Sequence, residues 1–241
     1  MPIIYYSAKC LGRMTNLHVL IACEESQAEC MAFRELGCLA FSCDIQPCRR
    51  DGHPEWHILG DVTALLEGET TFRTMDGVEH CVPRWDLIVA HPPCTYLCKC
   101  GSPWLRKDAN FWAYAAGRWI YVNEHRWFQL QAARQFFFKC LRAHAFYVAV
   151  ENPLPMAAAE LPPATCFVDP SWYGVKYSKK TLYWLRGLPA PMAEYIYPNP
   201  KCYVRASRGK YRSRTFPALA RAIARQWVEF IQSDLDIWRA L

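Results

Sequence analysis

The tightest constraint on this chain is the stretch Trp85-Asp86-Leu87-Ile88-Val89-Ala90-His91-Pro92-Pro93-Cys94. Leu87 to Ala90 are apolar without alternation, the pattern of a strand covered on both faces in a parallel sheet. Pro92 and Pro93 lack an amide hydrogen and have a fixed φ, so neither continues a central strand. The chain must leave the sheet at His91 and set Cys94 just past the strand's carboxyl end. In open α/β sheets that edge is where ligands bind.

A strand of this kind needs parallel neighbours. Residues 18–22 read as a first strand, 23–26 as a turn with Ser26 as N-cap, and 28–36 as a helix presenting Ala28, Met31, Ala32 and Leu36 on one face. Gly37 suits the C′ position, and residues 39–43 form a second strand ending at Asp44. Such a unit implies a parallel pair joined by a right-handed crossover. Residues 56–59 read as a third strand, followed by Gly60-Asp61-Val62. A short helix and then a loop or hairpin fill 63–84. Residues 95–122 read as a long loop rich in Trp, Tyr and basic side chains. Residues 124–143 form the best helix, with Trp127, Phe128, Leu130, Phe137 and Leu141 inward. A fifth strand at 145–150 ends in Glu151-Asn152-Pro153, and further strands lie at 166–168 and 181–185. After a loop at 186–214, residues 216–233 form a terminal helix with Leu219, Ile223, Trp227 and Ile231 four apart. The expected fold is α/β: a mostly parallel sheet with helices on both faces. Residues 1–16 read as an N-terminal extension and 17–241 as a single domain.

Composition narrows the class. A hydrophobic content of 52% argues against disorder, and no apolar run approaches the roughly 20 residues that span a membrane. Thirteen cysteines in a chain of this size, without the pattern of an export signal, read as reduced thiols in a cytoplasm. The basic charge is concentrated late: residues 176–225 hold many Lys and Arg but a single acid, Glu194. This asymmetry points to a polyanion partner on one face; the competing reading is a solvated basic surface.

Several loops converge on one sheet edge. The turn after the first strand brings Ala22, Glu24 and Ser26; the second and third strands bring Asp44 with Ile45 and Asp61 with Val62. Asp44 can accept from ribose hydroxyls and Asp61 from an adenine amino group, as a nucleoside cofactor requires. His91 and Pro92 complete the cofactor side. Cys94 and Glu151 lie at neighbouring strand ends. A thiolate adds to an electron-poor ring carbon while an acid stabilises the ring nitrogen where charge develops. A cysteine near helix N-termini and basic residues is expected to have a lowered pKa.

The ordered series Pro92-Pro93-Cys94, Glu151-Asn152-Pro153 and Tyr173-Gly174-Val175-Lys176-Tyr177-Ser178-Lys179 resembles the motifs of DNA cytosine-5 methyltransferases. The chain looks most like the small versions found in bacteriophages and prophages, which share the Ala-Cys-Glu turn, the Cys-Asp pair and Gly-Asp-Val. The resemblance covers roughly residues 17–232. It implies the Rossmann-like, seven-stranded class I methyltransferase fold, S-adenosylmethionine as cofactor, and duplex DNA with a flipped base as partner. It implies that Cys94 attacks carbon 6 of cytosine, that Glu151 contacts ring nitrogen 3, and that Lys179 stands where the family has an arginine holding the base. Pro93, Asn152 and Tyr177 fall on the base side. Cys23-Glu24-Glu25 replaces the usual glycines, and Tyr177 and Thr181 replace a glutamine and an arginine. Only a short segment lies where a target-recognition domain is usual. The loops at 99–122 and 186–214 are expected to take its place, with Arg106, Lys107, Arg212 and Arg214 on phosphates and Trp or Tyr on bases.

Other readings compete. Cys94 is alternatively an inert buried thiol. Cys81, Cys94, Cys98 and Cys100 lack the clean second pair of a zinc site, and no metal is expected. Methylation of an exocyclic amino group, transfer of a modified methyl such as carboxymethyl, and a non-catalytic DNA-binding role on a degenerate fold are the alternative functions.

Overall fold

The apolar run after Asp86 forms the central strand of a mixed α/β structure. A computed structural model describes residues 3–5, 17–203 and 215–240, with side chains described for 17–203 and 215–235. The strands up to the Pro-Pro-Cys segment are β1 (Ile3–Tyr5), β2 (His18–Ala22), β3 (Leu39–Asp44), β4 (His57–Leu59), β5 (Thr71–Arg73), β6 (Glu79–Cys81) and β7 (Leu87–Ala90). After it come β8 (Phe111–Ala115), β9 (Arg118–Val122), β10 (Tyr147–Asn152), β11 (Cys166–Val168), β12 (Tyr177–Ser178), β13 (Thr181–Arg186) and β14 (Lys201–Cys202). The helices are α1 (Ala28–Glu35), α2 (Thr63–Leu66), α3 (Ser102–Arg106), α4 (Glu124–Leu141) and α5 (Pro217–Ala240).

Seven strands form the main sheet in the order β11-β13-β10-β7-β2-β3-β4. From β4 to β10 all pairs are parallel, and β13 runs antiparallel between β10 and β11. The chain steps outward from β2 to β4 and then returns to β7 on the other side of β2. The order therefore reverses between β2 and β7, which opens a crevice at the carboxyl ends. The register sets Ala22 opposite Ala90, and Ala90 opposite Val150. The exits of β2, β7 and β10 thus emerge abreast.

The central strands β2 and β7 are buried throughout; successive side chains point to opposite sides, so both faces are covered. Val19, Ile21, Leu87 and Val89 pack under α1 and α5, where Leu219, Ile223, Trp227 and Ile231 are buried as their spacing predicts. Leu20, Ile88, Val148 and Val150 pack under α2 and α4. Full burial of one such aliphatic side chain contributes about 1.5–3 kcal/mol, so the parallel strands are held chiefly by these two apolar layers. No described helix is long and apolar enough to cross a membrane.

Several expectations are corrected. Helix α1 buries Glu29, Cys30, Ala32 and Phe33 rather than the face led by Ala28 and Met31, because α5 packs along it and widens the covered sector. Its N-cap is Gln27, in left-handed conformation, not Ser26. Residues 95–122 are not an open loop but carry α3 and the β8–β9 hairpin. Phe128 is exposed on α4, where its ring stands beside Phe111 of that hairpin. Strand β10 continues through Glu151 and Asn152, because both pair with β13. Residues 3–5 of the expected extension pair in parallel with β6.

Candidate active site

Strand β7 ends as its sequence demands. His91 donates its backbone N–H to the Ala22 carbonyl at 2.9 Å, and Pro92 and Pro93 then turn the chain out. Cys94 opens a tight turn in which the amides of Leu97 and Cys98 donate to its carbonyl at 3.0 and 2.9 Å. Gly101 is required here, because a Cβ would sit 2.8 Å from the Thr95 carbonyl. This turn is bonded to the exit of β10. Lys99 N–H donates to Leu154 O and Met156 N–H to Leu97 O, both at 2.8 Å. The Asn152 amide donates to the Pro92 carbonyl at 3.1 Å.

Asn152 is fully buried. Through that bond it holds the Pro-Pro-Cys segment against the exit of β10. Pro93 is exposed on the turn and Pro92 is buried beneath it.

Cys94 is half-buried and free. Its thiol is not lowered as expected but raised, first by hydrogen bonding to Cys98, then by burial and the nearby Glu151 charge. Cys98, one helical turn on, is lowered to about 6 by the bond from Cys94, against burial, with help from the amides of Gly101 and Cys100. In the resting pair, negative charge therefore favours Cys98, and Cys94 donates to it.

Behind the turn lies a buried charge cluster. His91 Nδ1 is 3.2 Å from Glu151 Oε2, and His91 Nε2 is 3.2 Å from Glu29 Oε2. The Glu29 contact is an ion pair of poor alignment, leaving both Glu29 carboxylate oxygens buried with no hydrogen-bond donor. Burial alone would lower the His91 pKa, but Glu29 and Glu151 outweigh it and raise it well above the ordinary range. Burial would raise Glu151, but the hydrogen bond and charge of His91, with Lys179 and Thr181, hold it below the ordinary range. Glu151 is thus ionised and faces a cleft lined by Lys179, Thr181, Tyr183 and Phe216. Tyr177 packs near the Tyr203 and Phe216 rings beside that cleft.

The turn after β2 is built differently from a glycine loop. Cys23 takes a positive φ of 62°, and its amide donates to Cys43 O at 2.7 Å. Glu24 folds inward: its carboxylate accepts from the amides of Glu29 and Cys30 at 2.8 and 3.2 Å, capping α1. Burial and the neighbouring Glu29 raise Glu24 to about 7. Ser26 donates to Glu24, and Arg49 clamps Glu25 through two hydrogen bonds. Glu24 and Ser26 are therefore engaged with the chain itself.

Farther along the edge, Asp44 accepts from Gln46 N–H at 2.9 Å and is raised by burial. Asp61 is exposed, accepts from Thr63 N–H at 2.7 Å and is lowered first by the Thr63 hydroxyl and then by that amide. The Gly60 amide donates to Asp44 O, so the two acids sit on adjoining strand ends. Ile45 is exposed beside them, while Val62 and Ala22 are buried.

Arg106 and Lys107 are exposed at the end of α3; Arg212 and Arg214 lie outside the described residues. The sequence reading missed Glu29, the Cys98 partner of Cys94 and the outer face of the β8–β9 hairpin. Only Glu29 carried a clue, as an acid next to the apolar positions of α1. Among the described residues no cluster of His, Cys, Asp and Glu has the arrangement of a metal site. Compared with known proteins, the chain matches no family model and no curated sequence.

Proposed function

We propose that this chain is a DNA cytosine-5 methyltransferase on a class I methyltransferase fold, using S-adenosylmethionine. The observation that carries the reading is the pairing of Cys94 with Glu151 at neighbouring exits of a parallel sheet, next to a switch point edged by Asp44 and Asp61. The strand order, with antiparallel β13 inserted between β10 and β11, supports it.

The residues fit the cofactor unevenly. Asp44, exposed Ile45 and Asp61 suit an adenosine: carboxylates for hydroxyl and amino groups, and an apolar surface for the ring. At the turn after β2, the α1 amides of Glu29 and Cys30 are already taken by Glu24. A cofactor carboxylate must find other donors, while the acids of this turn suit an ammonium or sulfonium. When bound, the cofactor supplies an electrophilic methyl group.

On the base side, Cys94 loses its proton to Cys98 as the base arrives. The Cys94 sulfur bonds to carbon 6, and the displaced electron pair moves through carbon 5 toward nitrogen 3. There Glu151 passes a proton from His91 to nitrogen 3, neutralising the ring. Carbon 5 would accept the methyl group that the cofactor supplies, with S-adenosylhomocysteine as leaving group, and its own proton would pass to solvent. The carbon 6–sulfur bond then breaks as the ring double bond reforms; the nitrogen 3 proton returns through Glu151 to His91, and the Cys94 sulfur recovers its proton from Cys98. Lys179, beside Glu151, offers a cation to the base.

One observation favours a second reading: the raised Cys94 thiol suits methylation of an exocyclic amino group, which needs no thiolate. Labelled S-adenosylmethionine with single-stranded and duplex DNA, followed by digestion to nucleosides, separates the two. Label in 5-methylcytosine, lost in Cys94→Ala, supports the first reading. Label on an amino nitrogen that survives Cys94→Ala supports the second. No label in any nucleoside, with folded protein, excludes both.

A further inference from the structure

The segment that leaves the Cys94 turn carries a surface that the transfer chemistry does not use. Strands β8 and β9 pair from Phe111↔Val122 to Ala115↔Arg118. Their two-residue connection, Ala116-Gly117, has positive φ at both positions (50° and 75°), as a tight hairpin with right-handed strand twist needs. Side chains opposite each other share a face. The inner face is Phe111, Ala113, Ala115, Ile120 and Val122, with exposed Arg118 at its end opposite Ala115; both alanines and Val122 are buried. The small alanines let the hairpin lie close over residues 157–159, which follow β10. At the tip, Ala116 N–H donates to Glu160 at 3.0 Å. The hairpin therefore stands on the loop that follows β10 and is joined through α3 to the Cys94 turn.

The outer face is aromatic throughout. Trp112, Tyr114, Trp119 and Tyr121 are 60%, 58%, 66% and 47% exposed. Trp112 lies against Tyr121 at 5.0 Å and Tyr114 against Trp119 at 5.5 Å between ring centroids. Such cross-strand pairs stabilise a hairpin, yet they leave a wide ring surface in water, and contiguous exposed apolar patches mark interaction sites. The flanks are basic: residues 94–123 hold Lys99, Arg106, Lys107 and Arg118 against one acid, Asp108.

The chemistry of this face selects its occupant. Reading paired bases in a groove needs a fan of donors and acceptors, and the outer face offers only indole N–H and phenol groups. Flat rings with cations at their edge instead suit unpaired bases, which stack on aromatic side chains while the phosphates meet Lys and Arg. We infer that the outer face of the β8–β9 hairpin is a stacking platform for unpaired bases of a DNA strand, so that the chain works on single-stranded or locally opened DNA. This rests on the proposed DNA substrate but not on the transfer chemistry.

The test is fluorescence anisotropy with a labelled deoxyoligonucleotide, single-stranded and as a blunt duplex, across a salt series. The single strand should bind the wild type more tightly than the duplex. Trp112→Thr/Trp119→Thr, which keeps β-forming residues, should weaken single-strand binding at least about tenfold with the salt slope unchanged. Trp112→Phe/Trp119→Phe should retain most of the binding, because it keeps rings at both positions. The inference is overturned if the Thr variant binds the single strand like wild type, if both DNA forms lose affinity equally, or if the variant dissociates a dimer while single-strand binding persists. Circular dichroism and a melting curve establish that the variants fold. A measured nucleoside product with no single-strand preference would leave the transferase reading standing and remove this one; single-strand binding without transfer would do the reverse.

Discussion

Two groups of side chains flank the Cys94 turn, one behind it and one beside it. Behind it, Glu24, Glu29, His91 and Glu151 place charges in the interior, held by one another and by the amides of α1. Beside it, Trp112, Tyr114, Trp119 and Tyr121 place apolar rings in water. Each inverts the usual partition of polar out and apolar in. The buried cluster is held by a network already in place, so its effects should appear in stability and pH dependence. The hairpin face is only half-satisfied by its own pairs, so its effects should appear in binding. That division is the comparison to break.

The largest expected effect lies between the two groups. Cys94→Ala should reduce formation of 5-methylcytosine to background while calorimetry still detects S-adenosylmethionine binding; retained transfer to carbon 5 would exclude thiolate attack. Next comes the cluster. His91→Leu leaves two buried carboxylates without their shared cation, and breaking a buried pair costs about 3–5 kcal/mol. Chemical denaturation should show this loss, and His91→Leu/Glu29→Leu should recover part of it by removing a stranded charge. If the double variant is no more stable than the single, Glu29 is not paired as described.

The pH dependence follows from the same groups. Glu24 is raised to about 7, so the native state holds a proton there that the unfolded chain releases near its ordinary carboxylate value. Its contribution is therefore fully present below that value and is lost as pH rises toward 7. His91 is also raised, so its contribution is present below the ordinary imidazole range and fades at higher pH. Glu151 is lowered and acts in the opposite sense, losing its contribution only as pH falls below the ordinary carboxylate range. Stability should thus decline from mildly acid to alkaline pH. Glu24→Gln should remove roughly 2–4 kcal/mol of that slope, as read by denaturation midpoints at several pH values. An unchanged slope would show that Glu24 does not hold the proton. Asn152→Ala leaves the buried Pro92 carbonyl without its donor and should cost about 1–3 kcal/mol.

The smallest effects belong to the hairpin's rim. Arg106→Ala and Lys107→Ala should each lower the salt slope of DNA binding by about 1 if each meets a phosphate. Melting temperature should stay unchanged, because both side chains are exposed. A drop in melting temperature without a change of slope would assign them to the fold instead.

The main sheet was legible because period, breakers and length agreed there: residues 18–22 in its parallel part and 166–168 at its antiparallel edge form strands with the expected ends, and Leu219, Ile223, Trp227 and Ile231 turn inward together. The hairpin was not legible. Its alternation is aromatic against small or aliphatic rather than polar against apolar, so the period of two is hidden in side-chain size. Its turn is Ala-Gly instead of Asn-Gly, which conceals the positive φ at Ala116. In the site, Cys94, Glu151, Asp44 and Asp61 fell on one edge because strand ends are readable. The roles of Glu24, Glu29 and His91 were hidden, because pairing between residues distant in sequence has no local pattern. Phe128 misled because aromatic spacing on α4 does not tell the main core from the underside of the hairpin.

The bonds that tie the Cys94 turn to the exit of β10 have a consequence for motion. Hydrogen bonds through Lys99, Met156 and Asn152 join the Cys94 turn to the exit of β10, so Cys94 and Glu151 should move as one rigid body. Under the proposed function, an opening that admits a base would then occur around that body rather than within it. Backbone amide exchange should register this directly. The Lys99 and Met156 amides, though outside the main sheet, should exchange on the slow timescale of the central strands, while the tip at Ala116 and Gly117 exchanges fast.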